Sequence, residues 1–373
     1  MSGKIKSVLV LGLGKVGSLA GTLLHRTGFD VTGMDMHAPE GLAFSVITGD
    51  VTSHTELEKA MSGKDAVVSC LPFDLNIPVA TLAHKNAVHY FDLTEDVPTT
   101  KAILEMAPTS KAVMAPQCGL APGFIGIVGA DLAKSFDTLR SIKMRVGALP
   151  QHPTGLLGYA FNWSPEGVVN EYLNDCEVIE NGQPKWVPAL EDLETIVING
   201  VQLEAFTTSG GLGTMCETYN GKVDTLNYKT IRYPGHAELM RFFFQELLMK
   251  EDRKKAGDIL VHAKPPVNED VVYVHASAEG VKAGKPFREE FVQGYYPLEI
   301  DGQMWRAISW TTSASLCAVI EMVSNGTLQD KGFIRQEDIS LDAFLSTKNG
   351  SLYADSGKKN TGSLGGGKIT RVA

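Results

Sequence analysis

The feature that most constrains this 373-residue chain is a glycine-rich turn, residues 12–17 with the sequence GLGKVG. An unbroken aliphatic run, residues 7–11, precedes the turn and is typical of a parallel strand that is buried on both faces. Apolar residues at helical spacing, from Val16 to Leu24, follow it. Between a strand and a helix, the G-x-G-x-x-G pattern indicates a dinucleotide-binding turn.

Each glycine of this turn has a distinct predicted role. Gly12 permits the tight turn, Gly14 lets the backbone approach a pyrophosphate, and Gly17 lets the helix pack closely on the strand. The phosphates would meet N–H groups at the positive end of the helix dipole. Lys15 and Val16 therefore complete the predicted phosphate site.

An acidic residue ends the second predicted strand at the position that a dinucleotide-binding fold requires. Asp35 lies 35 − 17 = 18 residues after Gly17, and its carboxylate can accept hydrogen bonds from ribose hydroxyls. It would also repel a 2′-phosphate, and Met36 rather than an arginine follows it. The sequence therefore favours NAD over NADP. The alternative is a plain strand–turn–helix with a solvated aspartate.

Two further predicted strand ends lie along the cofactor path, because ligands bind at the carboxyl ends of parallel strands. Asp50 and Val51 follow the third strand, where the adenine is expected. Cys70, Leu71 and Pro72 follow the fourth strand, near the expected ribose and nicotinamide. The alternative for each group is an ordinary strand-to-helix loop.

Strands alternate with helices up to about residue 115, which predicts an α/β fold, a doubly wound parallel sheet of the Rossmann type. Beyond residue 123 the pattern changes. Residues 156–163 have a strand pattern, and Asn-Gly pairs at 181–182 and 199–200 predict two hairpins. We therefore expect an inserted α+β domain with an antiparallel sheet.

The second predicted domain contains three segments that are richer in polar residues than a core requires. The candidate substrate-binding residues in these segments are Asn162, Trp163, Thr214, Arg232 and Tyr233. Arg232 has a planar guanidinium suited to a carboxylate.

His236 follows Pro-Gly and precedes a helical run. The helix dipole would keep this imidazole neutral, as a general base must be. The alternative is that Arg232 forms a salt bridge within its domain and His236 only caps the helix.

Composition and charge exclude several classes of binding partner. The chain has 34 Lys and Arg against 43 Asp and Glu, a net charge of −9, so we expect no electrostatic binding of nucleic acid or of an anionic membrane. No apolar run approaches the ~20 residues of a membrane span, and the N-terminal segment lacks a signal-peptide pattern. Five scattered cysteines argue against a disulfide framework or a zinc site. We expect no bound metal and a cytoplasmic protein.

Several motifs together resemble those of the saccharopine dehydrogenase-like oxidoreductases, most closely the lysine 6-dehydrogenase branch. They are residues 12–17, YFDLT at 90–94, CGLAPG at 118–123, WSPEG at 163–167, TIRYPGH at 230–236 and the helix near 314–326. The resemblance implies a dinucleotide-binding domain, residues 1–123, that is closed by residues 306–350. Residues 124–305 would carry the substrate contacts and a homodimer interface. Residues 351–373, rich in Gly, Ser and Lys, are predicted to be a flexible tail.

The resemblance also implies hydride transfer from a carbon that bears an amine. In the lysine case the ε-carbon gives hydride to NAD, and hydrolysis of the iminium releases ammonia and an aldehyde that cyclises. Arg232 would bind the carboxylate of the amino-acid substrate, and the base would be His236 first and Asp92 second. Open alternatives are a saccharopine or carboxyspermidine-type secondary-amine dehydrogenase and a non-catalytic dinucleotide-binding regulator.

Overall fold

The structure is a computed structural model that describes residues 5–37, 39–359 and 370–372. The chain forms two compact units. The parallel-sheet unit comprises Met1–Phe124 and Ser309–Ala354, and the mixed-sheet unit comprises Ile125–Ile308 and Asp355–Ala373.

Strands and helices alternate over the first 115 residues: β1 (Ser7–Leu11), α1 (Gly17–Thr27), β2 (Asp30–Asp35), β3 (Ser45–Thr48), α2 (His54–Met61), β4 (Ala66–Ser69), α3 (Asn76–Asn86), β5 (His89–Asp92), α4 (Val97–Met106) and β6 (Val113–Ala115). The middle of the chain is mostly strands: α5 (Phe124–Ala133), β7 (Thr138–Pro150), α6 (Pro165–Leu173), β8 (Cys176–Glu180), β9 (Gln183–Val187), β10 (Glu194–Ile198), β11 (Val201–Thr207), α7 (Met215–Tyr219), β12 (Thr225–Arg232), α8 (His236–Arg241), α9 (Arg253–Ala263), β13 (Asp270–Lys282), β14 (Lys285–Tyr295), β15 (Leu298–Ile300) and β16 (Gln303–Trp305). The last elements are α10 (Ala307–Ser324), β17 (Gly332–Phe333), α11 (Leu341–Leu345), α12 (Ser351–Lys359) and β18 (Thr370–Val372).

The first sheet has seven strands in the order β3-β2-β1-β4-β5-β6-β17. Every pair in it is parallel, which confirms the predicted Rossmann-type sheet. In the register, Leu11 pairs with Ser69 and Ser69 pairs with Asp92. The carboxyl ends of β1, β4 and β5 therefore lie side by side at one edge of the sheet.

The second sheet has nine strands and contains both predicted Asn-Gly hairpins. Asn181, Gly182, Asn199 and Gly200 all have positive φ, between 52° and 80°, as the two central residues of a type I′ turn require. The sheet was expected to be antiparallel, but β7 and β12 pair in parallel, so it is mixed. The long connection between β7 and β12 permits a parallel pair, which a tight hairpin cannot form.

Two local predictions were wrong. Residues 156–163 form a short turn followed by irregular backbone rather than a strand. The predicted tail begins as a helix, α12, because Tyr353 is buried and stacks on Phe124 with ring centroids 3.9 Å apart. Residues 360–369 and 373 of the predicted tail lie outside the described residues.

Among the described residues, α10 is the one helix long and apolar enough to cross a membrane by length and composition. Inside the structure 78% of that helix is buried. A core helix has these same properties, because its whole circumference packs against other elements.

Candidate functional site

The turn after β1 has a backbone geometry that glycine alone satisfies. Gly12 has φ +80° and donates its N–H to the carbonyl of Met34 at 3.0 Å. A Cβ on Gly12 would lie 2.8 Å from the carbonyl oxygen of Cys70, and one on Gly17 would lie 1.8 Å from that of Gly12. These contacts fix the start of α1 against the ends of β1 and β4.

The same turn is open where a diphosphate would lie. A Cβ on Gly14 would meet no atom within 4 Å, and no side chain caps the 11-residue helix α1, which has Val16 at its cap position. Lys15 is exposed beside it. A bare helix N-terminus beside an unobstructed glycine fits a dinucleotide diphosphate.

Asp35 joins the end of β2 to this turn. Its Oδ2 accepts the backbone N–H of Leu13 at 2.6 Å, and its Oδ1 accepts that of His37 at 2.8 Å. Each carboxylate oxygen has a second lone pair, so the group can still accept ribose hydroxyls. Met36, beside it, is 55% exposed.

The predicted adenine segment follows β3. The carboxylate of Asp50 accepts the backbone N–H and the hydroxyl of Thr52 at 2.8 and 2.7 Å, and these bonds lower its pKa. Val51 packs against the apolar core of the parallel-sheet unit. The local loop geometry thus accounts for both residues without a ligand.

The predicted nicotinamide segment follows β4. Cys70 donates its backbone N–H to Leu11, and burial, with a smaller contribution from Asp92, raises the pKa of its thiol to about 12. Leu71 packs on the core, and Pro72 is exposed ahead of a short 3₁₀ turn. Cys70 therefore remains a neutral thiol.

Within the described ranges no three Cys, His, Asp or Glu side chains form a metal-binding group.

Asp92, at the end of β5, is fully buried. Its carboxylate accepts the hydroxyl of Tyr90 at 2.7 Å and the backbone N–H groups of Thr94 and Gln117 at 2.9 and 3.0 Å. Burial outweighs these bonds and raises its pKa to about 6. Asp92 ties together the loops after β5 and β6 and has no exposed surface, which argues against its predicted role as the second choice of base.

Arg232 lies in the mixed-sheet unit and is 2% exposed. Its Nε donates to the hydroxyl of Tyr172 at 2.8 Å, its Nη1 donates to the carbonyl of Ile231, and its guanidinium lies 4.6 Å from the ring centre of Tyr159. Burial lowers its pKa, but Tyr172, Tyr159 and Glu171 outweigh burial and raise it overall. The hydrogen bonds of this cation thus go to neutral oxygens.

His236 contacts Tyr172, the tyrosine to which Arg232 donates, and is 1% exposed. A carbonyl can only accept, so Nδ1, 3.0 Å from the Leu157 oxygen, carries the proton and Nε2 accepts from Tyr172 at 3.0 Å. Burial, with help from Arg232, lowers its pKa to about 3. The ring is neutral as predicted, although burial rather than a helix dipole is the cause. Both nitrogens are committed, which argues against the predicted role as base.

Sequence reasoning missed two residues of this cluster. Tyr172 links Arg232 to His236, and Glu204 accepts the N–H groups of Gly235 and Ala237 at 2.8 and 2.7 Å, which holds the turn before α8. A glutamate in an otherwise apolar strand segment, LEAF at 203–206, is the available signal for Glu204.

The remaining predicted substrate residues have separate positions. Trp163 joins the cluster, because its Nε1 donates to the hydroxyl of Tyr159 at 3.2 Å. Asn162 accepts the N–H of Val267 at 2.8 Å, and the Tyr233 hydroxyl donates to a carbonyl of β7. Thr214 lies at the start of α7. Trp163 thus contacts the cluster of Arg232 and His236 through Tyr159, and Tyr233 packs against the same hydrophobic core.

Two family models match this chain. Residues 8–114 match the saccharopine dehydrogenase NADP binding domain, and residues 119–347 match the saccharopine dehydrogenase C-terminal domain. The second match alone covers more than half of the chain.

Curated relatives are distant and longer. A saccharopine dehydrogenase [NADP(+), L-glutamate-forming] of Schizosaccharomyces pombe is 26% identical over 51% of this chain and 45% of that protein. The mitochondrial alpha-aminoadipic semialdehyde synthase of Rattus norvegicus is 26% identical over 64% of this chain and 28% of that protein. The matched region thus spans less than half the length of either relative.

A solved structure covers the whole chain. The apo saccharopine dehydrogenase (L-Glu forming) of Saccharomyces cerevisiae superposes with a TM-score of 0.73 at 16% identity, over 99% of this chain and 100% of that one. At this identity the likeness shows the fold. Together with the two family models, it confirms the resemblance at the level of the family: the chain belongs to the saccharopine dehydrogenase family.

Proposed function

We propose that this protein is an amino-acid dehydrogenase that oxidises a carbon–nitrogen bond with NAD, and that its substrate is lysine, oxidised at the ε-carbon. The observation that carries the proposal is the open glycine turn before α1, with Asp35 beside it, in a chain of this family. The expected products are NADH, ammonia and aminoadipate semialdehyde in its cyclised form.

The cofactor preference rests on Asp35. Its two hydrogen bonds to Leu13 and His37 hold a negative charge at the end of β2, where a 2′-phosphate would be repelled. The printed name of the fission-yeast relative specifies NADP(+), so the choice between the two dinucleotides has to be measured. When bound, the nicotinamide supplies the two-electron acceptor.

Substrate recognition rests on Arg232. Its bonds to Tyr172 and Ile231 use donors but leave its charge without an anionic hydrogen-bond partner in the described part of the chain. A carboxylate is the natural ligand of a guanidinium held in this way. Tyr172, which is fixed in turn by His236, sets the orientation of the guanidinium plane.

Cleavage of a secondary amine such as saccharopine is the second candidate, and the names of the matched relatives favour it. The two reactions differ in their products, because oxidation of lysine releases ammonia and cleavage of saccharopine releases a free amino acid. A dinucleotide-binding regulator would bind the cofactor and release neither.

The test follows NADH and NADPH absorbance with lysine, saccharopine, ornithine and a carboxyspermidine-type amine offered separately. We expect NAD reduction with lysine and one ammonia for each NADH. Glutamate release from saccharopine would move the assignment to the second candidate. Stoichiometric cofactor binding by calorimetry without any reduction would leave the regulator.

We further propose that the protein is a homodimer, as the family resemblance implies, and that it is cytoplasmic, as its five scattered cysteines indicate. Static light scattering of the purified chain should then give a mass of about twice 40.2 kDa. A mass equal to that of one chain would contradict the proposal.

A further inference from the structure

The mixed sheet ends on one side in two short strands, β9 and β10, which follow each other along the same edge. β9 pairs with β8, and β10 pairs with β11. β8 and β11 both pair with β12, at residues 225–226 and 229–232 of that strand, and β7 occupies its other side. In the described part of the chain no strand pairs with the outer side of β9 or β10. This side of the sheet is therefore an open edge.

The two edge strands differ in how they are protected against pairing. β9 contains Pro184, which has no backbone N–H, and Lys185, whose charged side chain is exposed. Proline and lysine on outer strands oppose edge-to-edge association. β10 has the sequence ETIVI, with neither residue, and pairs with β11 without a bulge. β10 is thus the part of this edge that can accept another strand.

The outer side of β10 presents the backbone groups of two residues. The two-residue turn at 199–200 makes Ile198 a member of a hydrogen-bonded pair with β11. Hydrogen bonding alternates along an antiparallel pair, so the backbone groups of Ile196 also point to β11. Those of Thr195 and Val197 point away from it, to the open edge.

The side chains beside these groups are apolar and exposed. Val197 is 65% exposed, and Leu193, directly before β10, is 54% exposed. Ile196, whose side chain points to the other face of the strand, packs against the core of the mixed-sheet unit. An exposed β-branched side chain next to unpaired backbone groups is typical of a strand that pairs with a further strand.

The acids at the start of β10 are neutralised within their own chain. Glu194 forms ion pairs with Arg145 and, at 2.9 Å, with Lys229. Lys229 also pairs with Asp192 at 2.8 Å. Like charges directly opposite each other destabilise a pair of strands. Because these acids already have cationic partners, two copies of this edge can approach each other without unpaired like charges.

We propose that β10 pairs with β10 of a second copy of this chain, and the inference rests on the homodimer proposed above. Thr195 and Val197 lie one residue on either side of Ile196, so a two-fold axis at Ile196 places Thr195 opposite Val197 of the partner subunit. Each such pair exchanges two backbone hydrogen bonds. The strand is thus complementary to itself, as a two-fold contact requires. The two mixed sheets become one continuous sheet.

The first experiment places a charge on the open edge. In Val197→Lys each copy brings an ammonium group to the contact, and lysine on an outer strand opposes pairing. We expect the dimer dissociation constant, measured by light scattering over a concentration series, to rise by about 100-fold or more. Far-UV circular dichroism should equal that of wild type, because Val197 is exposed. The matched control is Ile47→Lys, the same change at an exposed position of β3, the edge strand of the parallel sheet, and it should leave the dimer intact.

The second experiment measures the register. The two-fold axis makes Ile196 and Ile196 of the partner subunit a directly opposed pair without mutual hydrogen bonds, with Cα atoms about 4.5 Å apart. Ile196→Cys should therefore form an intermolecular disulfide under mild oxidation, seen as a dimer in non-reducing electrophoresis. Thr195→Cys is the matched control. Its counterpart lies diagonally across the pair, with Cβ atoms about 7–8 Å apart, which is too far for a disulfide.

The outcomes separate this contact from the homodimer itself. A wild-type dissociation constant in Val197→Lys overturns the assignment of β10 and leaves the homodimer standing. A disulfide in Thr195→Cys but not in Ile196→Cys overturns the two-fold axis at Ile196. A wild-type chain that is monomeric by light scattering overturns the homodimer, and the pairing of β10 with it. None of these measurements depends on NADH formation, so a failure of the proposed oxidation is recognised separately.

Discussion

The two units of this molecule differ in the charged side chains that they bury. The described part of the parallel-sheet unit buries acids but no lysine or arginine, whereas that of the mixed-sheet unit buries both cations and acids, the latter being Glu171, Glu204, Asp270 and Glu289. At the end of β5 the parallel-sheet unit buries the carboxylate of Asp92, which backbone N–H groups and a tyrosine hydroxyl stabilise. The mixed-sheet unit buries three cations, and two of them, Arg145 and Lys229, form ion pairs with Glu194. The two cations hold the pKa of Glu194 at about 2 despite its partial burial.

Arg232 is the exception among those cations, because its hydrogen bonds go to a hydroxyl and a carbonyl. The nearby carboxylate of Glu171, which is itself buried, stabilises this cation without a hydrogen bond to it and contributes to its raised pKa. Under the proposed function, the carboxyl edge of the parallel sheet would hold the cofactor and Arg232 of the mixed-sheet unit would bind a substrate carboxylate.

The largest expected effect is that of Gly17→Ala, which tests whether the cofactor binds at the glycine turn before α1. In Gly17→Ala the new Cβ would lie 1.8 Å from the Gly12 carbonyl oxygen, so α1 must shift and the diphosphate turn is lost. Overpacking of this kind costs about 1–3 kcal/mol of stability. We expect no measurable binding of NAD by calorimetry.

Gly14→Ala is the matched control, because its Cβ meets no atom of the protein within 4 Å. Its thermal unfolding should equal that of wild type, while NAD binding weakens because the methyl group faces the expected diphosphate. Wild-type NAD affinity in Gly17→Ala would show that the cofactor does not bind at this turn.

A substitution of Arg232 tests whether this buried cation binds the substrate carboxylate. Arg232→Met keeps most of the buried volume and removes the charge, and loss of a buried charge-assisted contact is worth about 2–5 kcal/mol. We expect kcat/KM for the amino acid to fall by about 30-fold or more while the cofactor Kd stays constant. Tyr172→Phe removes one hydroxyl and should raise KM by a smaller factor. Unchanged kcat/KM in Arg232→Met would remove Arg232 from substrate binding.

Asp35 tests cofactor choice with a smaller effect. Asp35→Ser removes the negative charge at the end of β2 and breaks the hydrogen bonds to Leu13 and His37. We expect the ratio of kcat/KM for NADP to that for NAD to rise by about 10-fold or more. Glu40→Ser, an exposed acid beyond β2, is the control. An unchanged ratio would show that Asp35 does not face the ribose.

The same division explains what the sequence could predict. The glycine turn could be predicted from the sequence because the contacts that require glycine are with residues of the turn itself or at the end of the neighbouring strand. Gly12 and Gly17 both show such contacts. The parallel order follows from alternating strands and helices. The place of Asp35 at a strand end could be predicted from the sequence, and the structure has Asp35 as the last residue of β2.

The Arg232 cluster was only partly readable, because its bonds join distant segments. Tyr172 and His236 are 64 residues apart in the chain, and no local pattern pairs them. His236 was correctly expected to be neutral, but its role depends on which partners its two nitrogens find in the fold.

The smallest effect concerns the pH dependence of stability, where the two units should act with opposite sign. His236 has its pKa lowered from 6.5 to about 3, so between these values the unfolded chain binds the proton and the native one does not. Its contribution to stability is therefore lost as pH falls through this window. Asp92 has its pKa raised from 3.8 to about 6, so its contribution is lost as pH rises through that window.

Urea unfolding at intervals between about pH 4 and 6 separates the two contributions. The quantity compared is the slope of the free energy of unfolding against pH. Relative to wild type, His236→Gln should make this slope more negative, and Asp92→Asn should make it more positive. Each change in slope is at most about 1.4 kcal/mol per pH unit, the value for one proton. Because the two substitutions differ in sign, general destabilisation cannot produce both results. If both variants have the same slope as wild type, burial does not shift the pKa of either group.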